Sequence, residues 1–307
     1  MTLDPKTANI VYHDAAARSY DAKWAISFDE RCIGYVRQRA SRMLPAGRYE
    51  RVLDVGCGTG FFLLNLWLAG FVGEAHACDI SPGMVAACAE SARAIGCDVG
   101  LQCADAEDLP YQDRSFDLVV AHAVLHHLPD VPAALGEMHR VLKPGGALLV
   151  AGEPTRLGDR MAKATGRLTA AGMRTAARFT PRLRRIPPTD EEMDGDDRIL
   201  RDLEWHVDLH TFVPEELEGL AKRAGFVQVR TETEELVSSV VGWAVRTIEA
   251  EAPPGLLGPR WASLAYRTYL RLYDLDTGFL SRFLPKDLFY NLLMYAERPG
   301  LRPGFSP

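Results

Sequence analysis

Eight residues constrain this chain more than any others: Leu53-Asp54-Val55-Gly56-Cys57-Gly58-Thr59-Gly60. A short apolar strand, Arg51–Val55, runs into three glycines at alternate positions. It continues into Phe61–Ala69, which reads as a buried helix. Glycine adopts the dihedrals of so sharp a turn and lets a ligand approach the backbone. In an open parallel sheet this corner lies at the carboxyl edge, where such folds bind ligands. The third glycine comes one residue earlier than in the dinucleotide fingerprint, with Phe61 in that slot, and no lysine follows, which disfavours a phosphate-binding P-loop.

The alternation continues. Strands are predicted at Glu74–Cys78, Asp98–Gln102, Phe116–Val120 and Ala147–Ala151. Helices are predicted from Ser81-Pro82 to about Ala94 and over Pro132–Leu142, the second stopped by Lys143-Pro144-Gly145-Gly146. Ser81 is the expected N-cap, with Pro82 at the first helical position. Such a rhythm implies a mostly parallel sheet covered on both faces. Later, Thr211 is the expected cap of a helix ending near Ala224 at Gly225. Phe226–Thr231 reads as a strand, Leu236–Phe283 as helical and rich in aromatic residues, and Tyr290–Glu297 as a last strand.

Composition narrows the class. The chain has 307 residues, 47% hydrophobic and 25% charged, with a net charge of −6. The acidic balance disfavours a nucleic-acid partner. No apolar run approaches the ~20 residues of a membrane span, and Met1–Lys6 lacks a signal-peptide layout, so a cytoplasmic location is expected. None of the six cysteines forms a C-x-x-C pair, so disulfide scaffolds and zinc ribbons are not expected.

Two carboxylates extend the glycine corner. Asp79 follows the second strand and can accept both hydroxyl hydrogens of a ribose. Ile80 is placed to lie against a purine. Asp105, in Ala104-Asp105-Ala106 after the third strand, can accept from an exocyclic amine.

This set resembles the class I S-adenosylmethionine-dependent methyltransferases, in the small-molecule branch that includes quinone-biosynthesis enzymes. The stretches that carry the resemblance are Leu53–Gly60, Cys78–Ser81, Ala104–Pro110, Phe116–Asp130 (FDLVVAHAVLHHLPD) and Glu137–Gly146 (EMHRVLKPGG). The resemblance implies a Rossmann-like α/β fold with a seven-stranded sheet in the order 3-2-1-4-5-7-6, strand 7 antiparallel, with helical cap insertions. It implies S-adenosyl-L-methionine as cofactor. Gly56, Gly58 and Gly60 would make room for its methionine and ribose parts, and Asp54 would reach its amino group. Asp79 would hold the ribose, Ile80 and Met84 would pack near the adenine, and Asp105 and Ala106 would meet the adenine edge. Ala121 and His122 would border the methionyl end. Tyr20, with Tyr12 and Trp24 at helical spacing, would cap the sulfonium, since an aromatic face attracts a cation.

The function that follows is methyl transfer to an oxygen or carbon of a small, apolar or ring-bearing metabolite. The alternatives are an anionic, glycan, lipid or macromolecular acceptor, and a nicotinamide-dependent oxidoreductase. A base is needed only for a weakly acidic acceptor. His127 is the first candidate, then His126 and Glu153, with His206 and His210 behind them. No metal is expected, since no ligand spacing stands out. The domain layout expected is an N-terminal helical cap (1–50), a methyltransferase domain (51–298) with insertions at about 155–210 and 236–288, and a tail (299–307). The first insertion carries nine basic residues and one acid over Arg156–Arg185, then six carboxylates over Asp190–Asp197. Arg156, Arg160, Lys163 and Arg167 stand at helical spacing opposite Leu157, Met161, Ala164 and Leu168, so an amphipathic basic helix and contact with a membrane surface are candidate readings.

Overall fold

A computed structural model describes residues 3–300, except 184, 186–192, 194, 205 and 254. Half of the acidic run Asp190–Asp197 and most of the tail therefore lie outside the described residues. Three helices lead: α1 (Pro5–Ala16), α2 (Tyr20–Trp24) and α3 (Glu30–Met43). The core follows as β1 (Tyr49–Val55), α4 (Phe61–Leu68), β2 (Val72–Asp79), α5 (Pro82–Ile95), β3 (Val99–Cys103), β4 (Phe116–His122), α6 (Val131–Val141) and β5 (Leu142–Pro154). Then come α7 (Arg156–Phe179), α8 (Gly195–Leu203), α9 (Pro214–Arg223), β6 (Val227–Glu234), α10 (Val237–Glu251), α11 (Pro259–Gly278) and β7 (Asn291–Glu297).

The seven strands form one sheet in the order β3-β2-β1-β4-β5-β7-β6. β7 runs antiparallel to both β5 and β6, and the other pairings are parallel. Both faces are dry. In β1, Leu53 and Val55 join Phe116, Leu135, Met138 and Phe226 on one face. Val52 joins Val36, Met43, Phe62 and Leu149 on the other. Burial on both sides is what makes the central strands near-continuous apolar runs.

Local chemistry sets the helix starts. Ser81 caps α5 by accepting from the amide of Met84, with Pro82 in the first turn. The expected Thr211 cap is corrected: α9 begins at Pro214, and Val213 precedes it without a side-chain cap. Proline fixes φ and has no N–H to satisfy, so it starts a helix without a polar cap. The aromatic segment is two helices, α10 and α11, the first ending at Glu251 and the second starting at Pro259.

A buried polar network joins α3 to the end of β6 and to α11. Arg39 lies 2.5 Å from Glu234 and 3.2 Å from Glu235. Tyr273 and Tyr269 donate to the same two carboxylates at 2.7 Å each. Asp276 of α11 accepts from the amides of Leu236, Val237 and Ser238, which closes the N-terminus of α10. The two insertion helices are thereby fastened to each other and to the strand they leave.

Candidate functional site

The turn after β1 shows why glycine is required. Gly56 and Gly60 have φ of +70° and +90°. A Cβ on Gly56 would stand 2.2 Å from Val124 Cγ2, and one on Gly60 would stand 2.8 Å from Cys88 Sγ. At Gly58 nothing lies within 4 Å, so the space beside it is open.

Around that space, several buried polar groups are short of partners. His122 Nε2 has no hydrogen-bond partner, Asp54 has only the Leu63 amide beside it, and Asp21 and Thr59 have only each other. A buried polar atom without a partner is costly, so such a cluster marks where a ligand is met. Burial pushes the Asp54 carboxyl up to about 8 and pulls the His122 imidazole down to about 4. The His122 ring lies on Phe62 (5.0 Å, 16°), so it borders the turn as a neutral group.

Asp79 is partly committed already. Its Oδ2 accepts from the amide of Gly58 at 2.8 Å and its Oδ1 from Ser81 at 2.9 Å. These bonds clamp the turn, and each oxygen keeps a second lone pair for a ribose hydroxyl. Burial raises the Asp79 carboxyl against the effect of those amides. Ile80 follows, half-buried. Met84 is fully buried and packs with Tyr12, Ala16 and Val207. Asp105 is engaged by the Lys6 ammonium at 2.6 Å, while Glu107 holds the same ammonium at 2.5 Å. Ala106 is buried against the core and Ala121 is fully buried at the end of β4.

The N-terminal aromatic residues do not share one helix. α1 ends at Ala16 and α2 begins at Tyr20, so the even helical spacing is interrupted. Tyr20 is held beside His13 (6.4 Å between rings) and Trp24 (6.3 Å). Trp24 already faces cations of the chain itself, Arg246 at 4.8 Å and Lys23 at 5.6 Å. That leaves Tyr20 as the aromatic residue nearest the candidate role.

A second group of residues gathers after β4. Glu153 is fully buried and accepts from the amides of Val124, Leu125 and His126, and from His126 Nδ1 at 2.8 Å. All its capacity is directed at this loop, so Glu153 positions the loop and does not meet a substrate. Burial opposes the charged form of His126, but Glu153 and then Asp208 outweigh it, and its pKa is raised. His127 behaves oppositely: burial, then the neighbouring His126 and His13, hold its pKa well below the usual value. Its Nδ1 donates to the Val207 carbonyl at 2.9 Å, which leaves Nε2 as the open acceptor. Burial likewise lowers His13, whose ring meets His127 edge-on at 5.2 Å.

Sequence reasoning missed His13 and Asp208. His13 sits in a segment read only for its aromatic residues. Asp208 lies 81 residues beyond His127 and reaches the histidine pair because the amides of Leu209 and His210 bond the His126 carbonyl. His210 Nε2 bonds the Leu128 carbonyl, which makes it a loop support. His206 is exposed, beyond the end of α8. Although no metal spacing is visible along the chain, the fold brings one ligand atom each of His126, His127 and Asp208 within 4.8 Å of one another. Both histidine Nδ1 atoms are engaged by protein oxygens, so it is the Nε2 atoms that face outward from the loop's own hydrogen bonds.

Residues 53–150 match the family described as "Methyltransferase domain". Among curated proteins, a malonyl-[acyl-carrier protein] O-methyltransferase of Halorhodospira halophila is 35% identical over 159 residues, covering 48% of this chain and 51% of that protein. A demethylmenaquinone methyltransferase of Staphylococcus aureus is 37% identical over 125 residues, covering 40% and 51%. The chain thus spans about half the length of the curated relatives it matches. Among solved structures, the [4+2]-cyclase SpnF aligns over 94% of both chains with a TM-score of 0.56 at 20% identity. Phosphoethanolamine N-methyltransferase 2 of Haemonchus contortus aligns over 94% of this chain and 60% of its own with a TM-score of 0.55 at 16% identity. At such identities these two likenesses show the fold. The fold, the glycine corner and the relatives together show a methyltransferase domain over residues 53–150 of this chain.

Proposed function

We propose that the protein transfers a methyl group from S-adenosylmethionine to an oxygen or carbon of a small, apolar or ring-bearing metabolite. The fold alone does not carry this, since a [4+2]-cyclase shares it. The observation that carries it is Asp54: a carboxyl buried at the foot of the glycine turn, with no cation among the described residues to pair with it. A ligand with an ammonium group, as the cofactor's methionyl end has, satisfies it. Asp79 would hold the ribose, with Ile80 and Ala106 along the adenine. Asp105 would reach the adenine amine while still paired with Lys6.

When bound, the cofactor supplies an electrophilic methyl group on a cationic sulfur, which leaves as a neutral thioether. The chain's contribution is alignment and proton handling. His127, neutral and with Nε2 free, would take the proton that the acceptor oxygen or carbon gives up. His126, held by Glu153, would keep the loop and its neighbour in register. The relative that methylates an acyl-carrier-linked malonyl group supports a second reading, a carrier-borne acceptor.

Calorimetric titration with S-adenosylmethionine, S-adenosylhomocysteine and NAD tests the reading on wild type and Asp79→Ala. Binding of the first two, weakened in the variant, is the expected result. NAD binding without adenosylmethionine binding would overturn it.

A further inference from the structure

α7 carries its larger apolar side chains on the wrong side for a helix that packs only inward. On a helix of 3.6 residues per turn, Leu157, Leu168 and Phe179 fall on one stripe, with Ala164, Ala171 and Thr175 between them. Leu168 is 75% exposed, Phe179 84% and Leu157 38%. The opposite side holds small residues, among them Ala162 and Gly166, and packs on α10. A Cβ on Gly166 would already touch Thr247 Oγ1 of α10 at 3.5 Å. The basic-helix expectation therefore stands with its apolar face turned outward.

Beside that stripe runs a row of cations. α7 has six basic residues and one acid in a chain of net charge −6. Lys163, Arg156 and Arg174 are paired with Asp159, Glu216 and Glu251. Arg160, Arg167 and Arg178 make no ion pair among the described residues.

α11, the other helix packed on α10, repeats the pattern. Leu264 (62% exposed), Leu275 (43%) and Phe279 (56%) recur along it with Arg267 and Arg271 between them. Phe283, 70% exposed, follows, its ring 5.1 Å from that of Phe279, next to Arg282.

We propose that the outer faces of α7 and α11 dock the protein on a membrane surface bearing anionic lipid headgroups. Charge complementarity selects the occupant: rows of unpaired arginine repel a second copy of the same face and attract a negative one. The apolar stripe of α7 runs from Leu157 to Phe179, about 33 Å at the rise of a helix. A bilayer offers continuous acyl surface over that length, whereas a globular partner would need a groove to match. Since no helix among the described residues is long and apolar enough to cross a membrane, the contact is peripheral, with leucine and phenylalanine at headgroup depth.

The test is co-sedimentation of the full chain with vesicles of phosphatidylcholine alone and of phosphatidylcholine mixed with phosphatidylglycerol. Binding to the mixed vesicles only, weakened by salt, is expected. The triple variant Arg160→Glu/Arg167→Glu/Arg178→Glu should bind at least about tenfold more weakly. Phe179→Ser/Phe283→Ser should also lose affinity. Both variants should titrate adenosylmethionine, or fail to, as wild type does, which separates this docking from the transfer reaction. Equal binding to neutral vesicles, no vesicle binding, or full binding by either variant overturns the proposal. Capture of an acidic protein or of duplex DNA without vesicle binding overturns it as well.

Discussion

His126 Nδ1 stands 2.8 Å from Glu153 Oε2, and the same carboxylate takes the amides of three successive residues, Val124, Leu125 and His126. One buried side chain from β5 thus fixes both the backbone and the imidazole of the loop that follows β4.

Glu153→Gln keeps an acceptor for some of those amides and removes the charge. The cost is expected at roughly 2–4 kcal/mol, that of breaking a buried, charge-assisted network, read by thermal unfolding. The sign with pH is defined. His126 is raised in the folded state, so its contribution is present below its unfolded pKa and is lost as pH rises through the folded one. The stability gap between wild type and variant should narrow on raising pH. NMR should show the His126 pKa falling in the variant.

Asp54 gives the same sign with pH, from burial instead of from a charged partner. A carboxyl raised from 3.8 to about 8 by burial destabilises the free protein increasingly as pH climbs between those values. Asp54→Asn should therefore stabilise the unliganded protein near neutrality, by several kcal/mol at most on the linkage scale of ~1.4 kcal/mol per pH unit. It should weaken adenosylmethionine at the same time. In wild type, binding of the ammonium-bearing ligand should release a proton near pH 7, seen as a calorimetric enthalpy that changes with the buffer's ionisation heat. Greater stability together with unchanged cofactor affinity would contradict the assigned role.

Gly56→Ala and Gly58→Ala separate backbone strain from crowding. Both positions have positive φ, so each substitution costs about 1–2 kcal/mol. Only at Gly56 does the new methyl meet Val124, at 2.2 Å. Gly56→Ala should lose the most stability in chemical denaturation. Gly58→Ala should fold nearly as well and lose cofactor affinity, because its methyl points into the open space.

Asp276 holds the N-terminal amides of α10, and Ser238 Oγ donates to it at 2.6 Å. Asp276→Ala leaves those buried donors unpaired, at roughly 2–4 kcal/mol. The loss should be local: limited proteolysis should cut faster within 236–288 while the sheet's hydrogen exchange stays slow. Uniform loss of protection would show instead that the insertion and sheet unfold together.

The glycine corner, the strand–helix rhythm and the three acidic strand ends were legible in the sequence because each is a short-range demand. A tight turn needs glycine, Ser81 needs only the amide of Met84, and a two-sided strand needs consecutive apolar residues. These settle the core fold and the cofactor class. The directions of side chains were not legible, since they depend on contacts between distant segments. Lys6 meets Asp105 across 99 residues, the Val207 carbonyl meets His127 across 80, and Arg39 meets Glu235 across 196. The split between His126 and His127 likewise comes from buried Glu153 and the Val207 carbonyl, which no spacing in His126-His127-Leu128-Pro129 reveals. The outward apolar face of α7 is also a tertiary decision: α10 packs on its small-residue side, and Leu168 and Phe179 are left facing out. Sequence determined what the turn and strands must be, and tertiary packing decided which polar and apolar groups were left without a partner in the chain.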